Sequence, residues 1–501
     1  MTFLNKISLK FSLCFLSITV FNATIIAQNT ALDSVQIIQD NRSLDVYGLT
    51  QNVVYVENLR PQKGYASANI FNSFGDFRQP MQANSLNQYK VETGGFKKIN
   101  QWGYNGHFAY KKIHENTVKW NGVYDAYDEN PFIWADSSQG DWQRDEIKAV
   151  IGIIPPKITK KLSFGLQIDY LVSSGARLSE PKPFYRYRNI ALQPAFSYQL
   201  NQNQSIGIMG TIGFMVEENE LGFYGNSGNN VLLYRLRGYG TFSKSPFVSG
   251  ERKRIQDDMA VRIHYTKKSQ NAEFLIAAHA SQRNDDVTEG VALPQSIGFF
   301  TGIEYGGLVS FYQGNPNRGK SINLKIRSKN GYADDVIFRA ESASSVYQHI
   351  DIQGSRWNFN ESKNALTQLS LMVNYSSIDN TDQATRTKLL VSKIQFLGGI
   401  NYRKQLNENY RFNACLETGY NYVFDKSFVN RTSNTIIREL IIPNYLFHSS
   451  DFALMNGKFG VDIIPLKSNI THSIFVSTQN QVFTKFDTQR TNLQLNYSIL
   501  F

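Results

Sequence analysis

Apolar residues occupy every second position along most of this chain, and this alternation limits its possible folds more than any other feature. Over the last nine residues, Leu493, Leu495, Tyr497, Ile499 and Phe501 share one face, with polar residues between them. Successive side chains of a β-strand point to opposite sides, so a period of two predicts a strand with one apolar and one polar face. No helical period competes with this pattern.

Similar apolar stripes recur from about residue 65 to the C-terminus. The mean hydropathy is nevertheless −0.34. Beyond the N-terminus the chain has no run of about 20 apolar residues, which is the length that a transmembrane helix needs. This combination excludes a helical membrane protein and fits strands whose two faces differ in polarity. Further stripes lie at 102–110, 162–170, 206–216, 261–265, 322–326, 369–375 and 410–424.

Two kinds of connection separate the stripes. Short polar links such as 157–161 and 267–271 alternate with longer segments such as 125–141 and 425–449. Short turns at one rim and long external loops at the other are typical of outer-membrane barrels. Because lipid offers no partner to an open sheet edge, such strands must close on themselves. We predict an all-β fold, a transmembrane antiparallel β-barrel of about 18 strands, within a range of roughly 14 to 20.

Residues 1–27 have the pattern of a secretory signal peptide. Lys6 and Lys10 supply its positive charge, an apolar stretch follows, and Ala27 is a small residue before a cleavage point. The alternative is a short anchoring helix that stays in place. After cleavage one cysteine, Cys415, would remain, so we expect no internal disulfide in the exported protein.

The segment 28–64 precedes the first stripe and lacks a clean alternation. It could form a plug in the lumen, a periplasmic extension or a disordered lead-in. We therefore divide the chain into a signal peptide (1–27), an N-terminal periplasmic or luminal segment (28–64) and an outer-membrane β-barrel (65–501).

The mature chain resembles Gram-negative outer-membrane β-barrel proteins, and among them the large barrels of uncharacterised function. The resemblance rests on the export signal, the alternation and the terminal Phe501. In those proteins a last strand like 493–501 is the signal read by the barrel insertion machinery. The resemblance thus implies the outer membrane as location, with membrane lipid and that machinery as partners. An edge strand of a periplasmic sandwich is the alternative for this terminus. The chain lacks the Asn-Pro-Ala motif of fatty-acid transporter barrels, and 28–64 is too short for the plug domain of energised receptors.

Basic residues dominate the positions between the apolar stripes. If the stripes face lipid, these basic side chains face the lumen, where cationic rings favour anions. Asp169 and Glu417 are the acidic residues on the same face. The alternative is a structural network in which the bases pair with luminal carboxylates or with the N-terminal segment. The predicted lumen-facing residues are Arg186, Arg188, Arg235, Arg237, Arg262, Lys325, Arg327 and Arg411.

Two functions are compatible with these features. The first is a channel or transporter for small polar, possibly anionic, solutes. The second is a non-transporting accessory barrel that docks another envelope protein through aromatic external loops. Tyr and Trp are frequent binding anchors, and the loop 125–134 contains Tyr127, Phe132, Ile133 and Trp134.

Other motifs predict no additional chemistry. Residues 314–321 fit the phosphate-binding pattern G-x-x-x-x-G-K-S, but a strand stripe follows instead of the helix that phosphate binding requires. His264 and His279 belong to no recognisable nucleophile–base set, so we expect no enzyme. Acidic loop clusters lack calcium-loop spacing, and positive charge is scattered, so we expect no metal, cofactor or nucleic acid.

Two local features interrupt the regular alternation of the strands. The alternation changes phase between Tyr187 and Ile190, which predicts a β-bulge near Arg188–Asn189. Residues 217–258 could supply a membrane strand or a hairpin above the barrel.

Overall fold

A computed structural model describes residues 45–58, 64–222, 232–246, 250–290, 293–315, 317–465, 470–483 and 488–501. The predicted signal peptide lies outside these ranges. The helices are α1 (Val46–Thr50), a 3-10 helix (Val53–Asn58), a π-helical turn (Ile437–Ile441) and α2 (Ile442–His448). The strands are β1 (Gly64–Phe74), β2 (Ser85–Ile99), β3 (Trp102–Lys119), β4 (Trp134–Asp136), β5 (Gln139–Ile154), β6 (Leu162–Arg177), β7 (Lys182–Asn201), β8 (Gln204–Gly222), β9 (Leu232–Leu236), β10 (Phe242–Pro246), β11 (Gly250–Lys268), β12 (Ala272–Glu289), β13 (Gln295–Gly314), β14 (Arg318–Asp335), β15 (Ala340–Asn360), β16 (Ala365–Asp382), β17 (Thr387–Gln405), β18 (Tyr410–Val429), β19 (Phe452–Ile463), β20 (Thr471–Phe483) and β21 (Gln489–Leu500).

Eighteen of the 21 described strands form one closed antiparallel barrel. Closure is made by β1 and β21, in the register Tyr65↔Leu500. The backbones of Gly64 and Phe501 exchange two hydrogen bonds, at 2.7 and 2.9 Å, so pairing continues to the last residue. The predicted fold class and the strand number of about 18 are confirmed.

The outer and inner faces of the barrel follow the alternation. On β7, the even-numbered Ile190, Leu192 and Phe196 are exposed on the outside, whereas Ala195 and Ser197 between them are buried inside. On β21, Leu493 and Leu495 point outward, and Asn496 and Ser498 are buried inward. An apolar outer band with a polar interior is the arrangement that a barrel needs in lipid.

The connections differ in length between the two rims. One rim has short turns, such as the link from Gly314 to Arg318, where Gly314 has a φ of +143°. That turn joins β13 to β14, so the phosphate-loop pattern lies in a strand–turn–strand unit with no following helix. The other rim has the long loops, and we refer to it as the external rim.

The long loops at the external rim fold inward over the barrel mouth. Strands β4, β9 and β10 form a second sheet of three strands. The order β10–β9–β4 joins the hairpin between β8 and β11 to the loop between β3 and β5. Residues 217–258 therefore contain the ends of two barrel strands and a hairpin above the barrel.

The bulge predicted near Arg188–Asn189 is absent from β7. The register with β6 continues unbroken through Val172↔Arg188 and Leu171↔Asn189. The phase change in hydrophobicity has another cause. Above the apolar band the outward side chains are charged, and the inward Tyr185 is fully buried.

Among the described helices, none has the length and apolar character to cross a membrane.

Candidate functional site

Residues 45–58 lie inside the barrel, against the inner wall near the short-turn rim. The Asp45 side chain accepts a hydrogen bond from the Gly48 backbone at 2.7 Å and begins α1. The Tyr47 hydroxyl accepts from Asn105 Nδ2 at 3.1 Å and donates to Gln167 Oε1 at 3.3 Å. These partners lie on β3 and β6, so the segment is attached to several strands.

The following 3-10 helix is bound to the wall in the same way. The Tyr55 hydroxyl lies 2.9 Å from Ser197 Oγ and 3.0 Å from Ser205 Oγ. Arg262 donates to the Thr50 carbonyl at 2.7 Å. This contact gives the predicted lumen-facing Arg262 a structural partner in the N-terminal segment.

Glycines on the wall make room for this segment. A Cβ added at Gly165 would lie 2.6 Å from Val53 Cγ1, and one added at Gly152 would lie 2.8 Å from Val53 Cγ2. Both distances are shorter than a van der Waals contact. Val53 is fully buried, so close packing against bare backbone fills this side of the lumen.

The inward-folded loops at the external rim form a compact unit, which we call the cap (residues 75–84, 120–138, 232–246 and 430–451). Its core packs side chains from three of these loops around the second sheet. Trp120 and Tyr234 meet edge to face with ring centroids 5.0 Å apart. Phe77, from the fourth loop, stacks on Phe447 at 4.4 Å. The buried core members are Trp120, Val123, Ala126, Ile133, Ala135, Tyr234, Leu236, Ile436 and Leu440.

A buried cluster of charges ties the cap to the barrel wall. Arg254 on β11 contacts Asp128 of the cap and lies 3.0 Å from Asp285 on β12. Arg283 is 2.7 Å from Asp285 and 3.4 Å from Asp128. Asn130 of the cap donates to Asp285 at 2.6 Å. Charged groups that are buried away from water need partners of opposite charge. These contacts therefore hold the loop 125–130 against β11 and β12.

Two further polar contacts fix the cap hairpin. Arg237 Nη1 lies 2.8 Å from Asp335 Oδ2 at the end of β14. Thr241 donates to Asp382 from its backbone at 2.8 Å and from its hydroxyl at 2.7 Å. Each contact joins the hairpin to a different barrel strand, so the cap spans the mouth.

The pKa values of two buried carboxyl groups of the cap, Asp128 and Asp136, are shifted in opposite directions. Burial raises the pKa of Asp128, but the guanidinium groups of Arg254 and Arg283 outweigh burial and hold the pKa below its ordinary value. Burial raises the pKa of Asp136 more than its ion pair with Arg177 lowers it. The ionised form of Asp128 is therefore favoured by the closed arrangement.

The predicted lumen-facing residues separate into three groups. Arg262, Lys325, Arg327 and Arg411 point into the barrel, and Lys325 and Arg327 are exposed there. The predicted inward orientation of Arg186 and Arg188 is wrong, because both point outward and pair with Glu220 and Glu218 on β8. They lie above the apolar band, where the outward side chains of the strand are charged and exposed.

Arg235 and Arg237 are cap residues instead of pore-wall residues, which corrects the sequence-based prediction. Arg235 lies 2.6 Å from Glu289, and Arg237 pairs with Asp335. The acidic partners stand far away in sequence, so no local pattern showed them. Arg411 has a partner as well, since its Nη1 lies 3.7 Å from the buried Asp462.

The loop aromatics suggested as docking anchors are turned inward. Phe132, Ile133 and Trp134 are buried in the cap or against the wall. The Trp134 indole donates to Glu289. The carbonyl of Phe132 accepts from Arg252. These side chains hold the cap in place and are not presented to an external partner.

The interior is filled unevenly. On the side of β5 to β8, the inward Ile154, Ala195 and Met209 are buried against residues 46–56. On the side of β14, the inward Lys325 and Arg327 remain exposed. Arg327 lies 3.3 Å from Glu304. For Lys325, no ion pair is formed with another described residue. We call this side of the lumen, where Lys325 and Arg327 are exposed, the lane.

Sequence reasoning missed the charged cluster beneath the cap. Arg252, Arg254, Gln256 and Asp258 alternate on β11 between the outward residues, and this alternation was the signal available in the sequence.

The histidines noted in the sequence do not form a catalytic set: His264 packs against Tyr55, and His279 lies 2.9 Å from Glu304. Among the described residues, no three His, Cys, Asp or Glu side chains are grouped to hold a metal ion.

Comparisons with known proteins give a family and several distant structural similarities. A profile described as "Family of unknown function (DUF6850)" matches residues 53–501. No curated protein matches the chain. The outer membrane transporter YddB from Escherichia coli is 6% identical, with 88% of this chain and 81% of that chain covered and a TM-score of 0.38. A FadL homologue from Pseudomonas aeruginosa is 10% identical, with 95% and 99% covered and a TM-score of 0.36. The ferric preacinetobactin receptor BauA from Acinetobacter baumannii is 6% identical, with 87% and 80% covered and a TM-score of 0.37.

Proposed function

Because the chain belongs to that family of unknown function, we propose a function from the geometry of its own lumen: a gated outer-membrane channel or transporter for small polar solutes. In this proposal the cap is the external gate, and the lane is the route through the barrel. The N-terminal segment narrows the lumen to one side. The chain would reach the outer membrane after removal of residues 1–27 and insertion by the barrel assembly machinery.

The observation that carries the proposal is the exposure of Lys325 and Arg327 inside a closed barrel. A barrel with a purely structural interior would bury such groups in ion pairs, as it does for Arg254 beneath the cap. Solvated charge on one side of the lumen indicates a water-filled space. A space of this kind serves the passage of solutes.

The charge of the lane supports a preference for anions. Lys325 and Arg327 project from alternate inward positions of β14, and Lys329 follows on the same face. Glu304 on β13 partly offsets them, at 3.3 Å from Arg327 and 3.5 Å from Lys329. Cationic side chains between low-dielectric walls raise the local concentration of anions.

The alternative, an accessory barrel that docks an envelope protein through its loops, has less support. Its proposed anchors, Phe132, Ile133 and Trp134, are buried. A docking role would also not account for the exposed charges of the lane. Passage of solutes without chemical conversion agrees with the interior, which contains no recognisable catalytic set among the described residues.

The test is conductance in planar lipid bilayers. We expect the wild-type barrel to conduct rarely, and Arg237→Glu, which places a carboxylate against Asp335, to conduct more often and for longer. Heat-dependent electrophoretic mobility would verify that both barrels are folded. If a folded Arg237→Glu barrel stays closed to ions and to small sugars, the proposal is wrong.

A further inference from the structure

We infer that the cavity beneath the cap binds a small solute that carries a flat apolar ring with one polar edge. This inference rests on the proposed function and names the class of solute. The cavity has a volume of about 300 Å³ and lies between the cap and the inner wall of β14 to β16. That volume is at the lower end of the range for small-molecule sites. Among its lining residues are Tyr127, Tyr239, Tyr347, Ile378, Asn380 and His448.

The surface of the cavity is mostly apolar and rich in rings. Leu236, Ile436 and Leu440 belong to the cap, and Ile378 faces them from β16. Tyrosine side chains combine an apolar ring face with a hydroxyl group, and such surfaces favour planar ligands with one polar edge. A solute without an apolar face would lose water on entry and gain little contact in return.

The imidazole of His448, which lines the cavity, is held by its neighbours. His448 Nε2 lies 3.1 Å from the amide nitrogen of Gln79, which can only donate, so Nε2 accepts. In a neutral imidazole the proton is then on Nδ1. The Nδ1 atom is buried and makes no hydrogen bond with any described residue. Because almost none of its surface is accessible, Nδ1 is out of reach of a molecule in the cavity, and the imidazole contributes packing to the lining.

The imidazole stays neutral at physiological pH. Burial lowers the pKa of His448 to about 3, and the charge on Lys393 acts in the same direction. The ammonium group that lines the cavity, on Lys329, is already 3.1 Å from Glu129 and 3.5 Å from Glu304. Recognition in this cavity therefore depends on the flat ring more than on net charge.

Binding can be measured without transport. Wild-type barrel in lipid nanodiscs would be dialysed against 4-hydroxybenzamide, with empty nanodiscs as blank. D-glucose is the control solute, since it is of similar size but has no flat apolar ring. We expect a Kd of about 1 mM or tighter for 4-hydroxybenzamide, and at least about tenfold weaker binding of glucose.

Two variants locate the site. Asn380→Trp fills the cavity from the barrel wall and should weaken binding at least about tenfold. Asn374→Trp, on the same inward face of β16 but farther from the cap, should leave binding unchanged.

The inference would be overturned if 4-hydroxybenzamide and glucose bound equally well. It would also be overturned if Asn380→Trp and Asn374→Trp weakened the binding of 4-hydroxybenzamide equally. Failure of a folded wild-type barrel to bind 4-hydroxybenzamide would overturn it as well. Conductance is read separately: a barrel that conducts but binds no ring compound contradicts this inference alone. A barrel that binds the compound at the cavity but never conducts contradicts the proposed transport function and leaves the binding site established.

Discussion

Arg237, directly after β9 in the cap, and Asp335, at the external end of β14, form an ion pair with Nη1 and Oδ2 2.8 Å apart. Their side chains are 7% and 0% exposed. Asp335 also accepts a hydrogen bond from the Ile337 backbone at 2.7 Å. The pair joins a loop that covers the mouth to a strand that forms the wall, so its energy contributes directly to closure of the cap.

Replacing Arg237 with Ala should loosen the cap. Asp335 would keep a buried charge without its cation, a change that typically costs about 3–5 kcal/mol. We expect faster proteolysis of the loop 120–138 and more frequent channel opening. Arg186→Ala is the matched control, because its pair with Glu220 is largely exposed and such pairs contribute only about 0–1 kcal/mol. Equal proteolysis of the two variants would contradict a role of Arg237 in closure.

Acid should weaken the attachment of the cap through Asp128. Its pKa in the closed cap is below the ordinary value because Arg254 and Arg283 outweigh the effect of burial. A lowered pKa gives stability that is complete above the ordinary Asp value of about 3.9 and is lost as the pH falls through the lower value. We therefore expect conductance to rise below about pH 4.

Asp128→Asn separates this effect from other titrations. The variant should open more readily at pH 7 and show less further change on acidification. Asp136 acts in the opposite direction, because burial raises its pKa, so the difference between wild type and variant is the informative quantity. Parallel pH profiles for the two proteins would exclude Asp128 as the group responsible.

A side chain at Gly165 should displace the N-terminal segment. A Cβ there would lie 2.6 Å from Val53 Cγ1, so Gly165→Val forces the 3-10 helix away from the wall. We expect cleavage of residues 45–58 by added protease and a larger single-channel conductance. Gly354→Val is the control, since a Cβ at Gly354 meets no atom within 4 Å. An unchanged conductance in a folded Gly165→Val barrel would mean that the segment does not restrict the route.

The charge of the lane should set ion selectivity. In a KCl gradient, Lys325→Glu combined with Arg327→Glu should shift the reversal potential towards cations, with the permeability ratio changed at least about twofold. The same change at Arg186 and Arg188, which point outward, should leave selectivity as it was. If the change at Arg186 and Arg188 shifted the reversal potential more than the change at Lys325 and Arg327, the ion route would not follow the lane.

The sequence by itself determined the architecture. A period of two, continued to Phe501, requires strands with one apolar side, and the alternation of short and long links predicts their number and the two rims. The same rule predicts an inward orientation for Lys325 and Arg327, since their strand crosses the apolar band. Within that band every outward residue must be apolar, so the pattern of one strand suffices.

Only the tertiary structure decided what happens above the band and inside the barrel. There both faces of a strand meet water or protein, so polarity no longer indicates direction. Arg186 therefore points outward while Tyr185 is buried inward. The pairs that close the cap join residues about a hundred or more positions apart, as in Arg237 with Asp335 and Asp128 with Arg254. Such contacts depend on how loops pack across a closed barrel, and no local pattern contains that information.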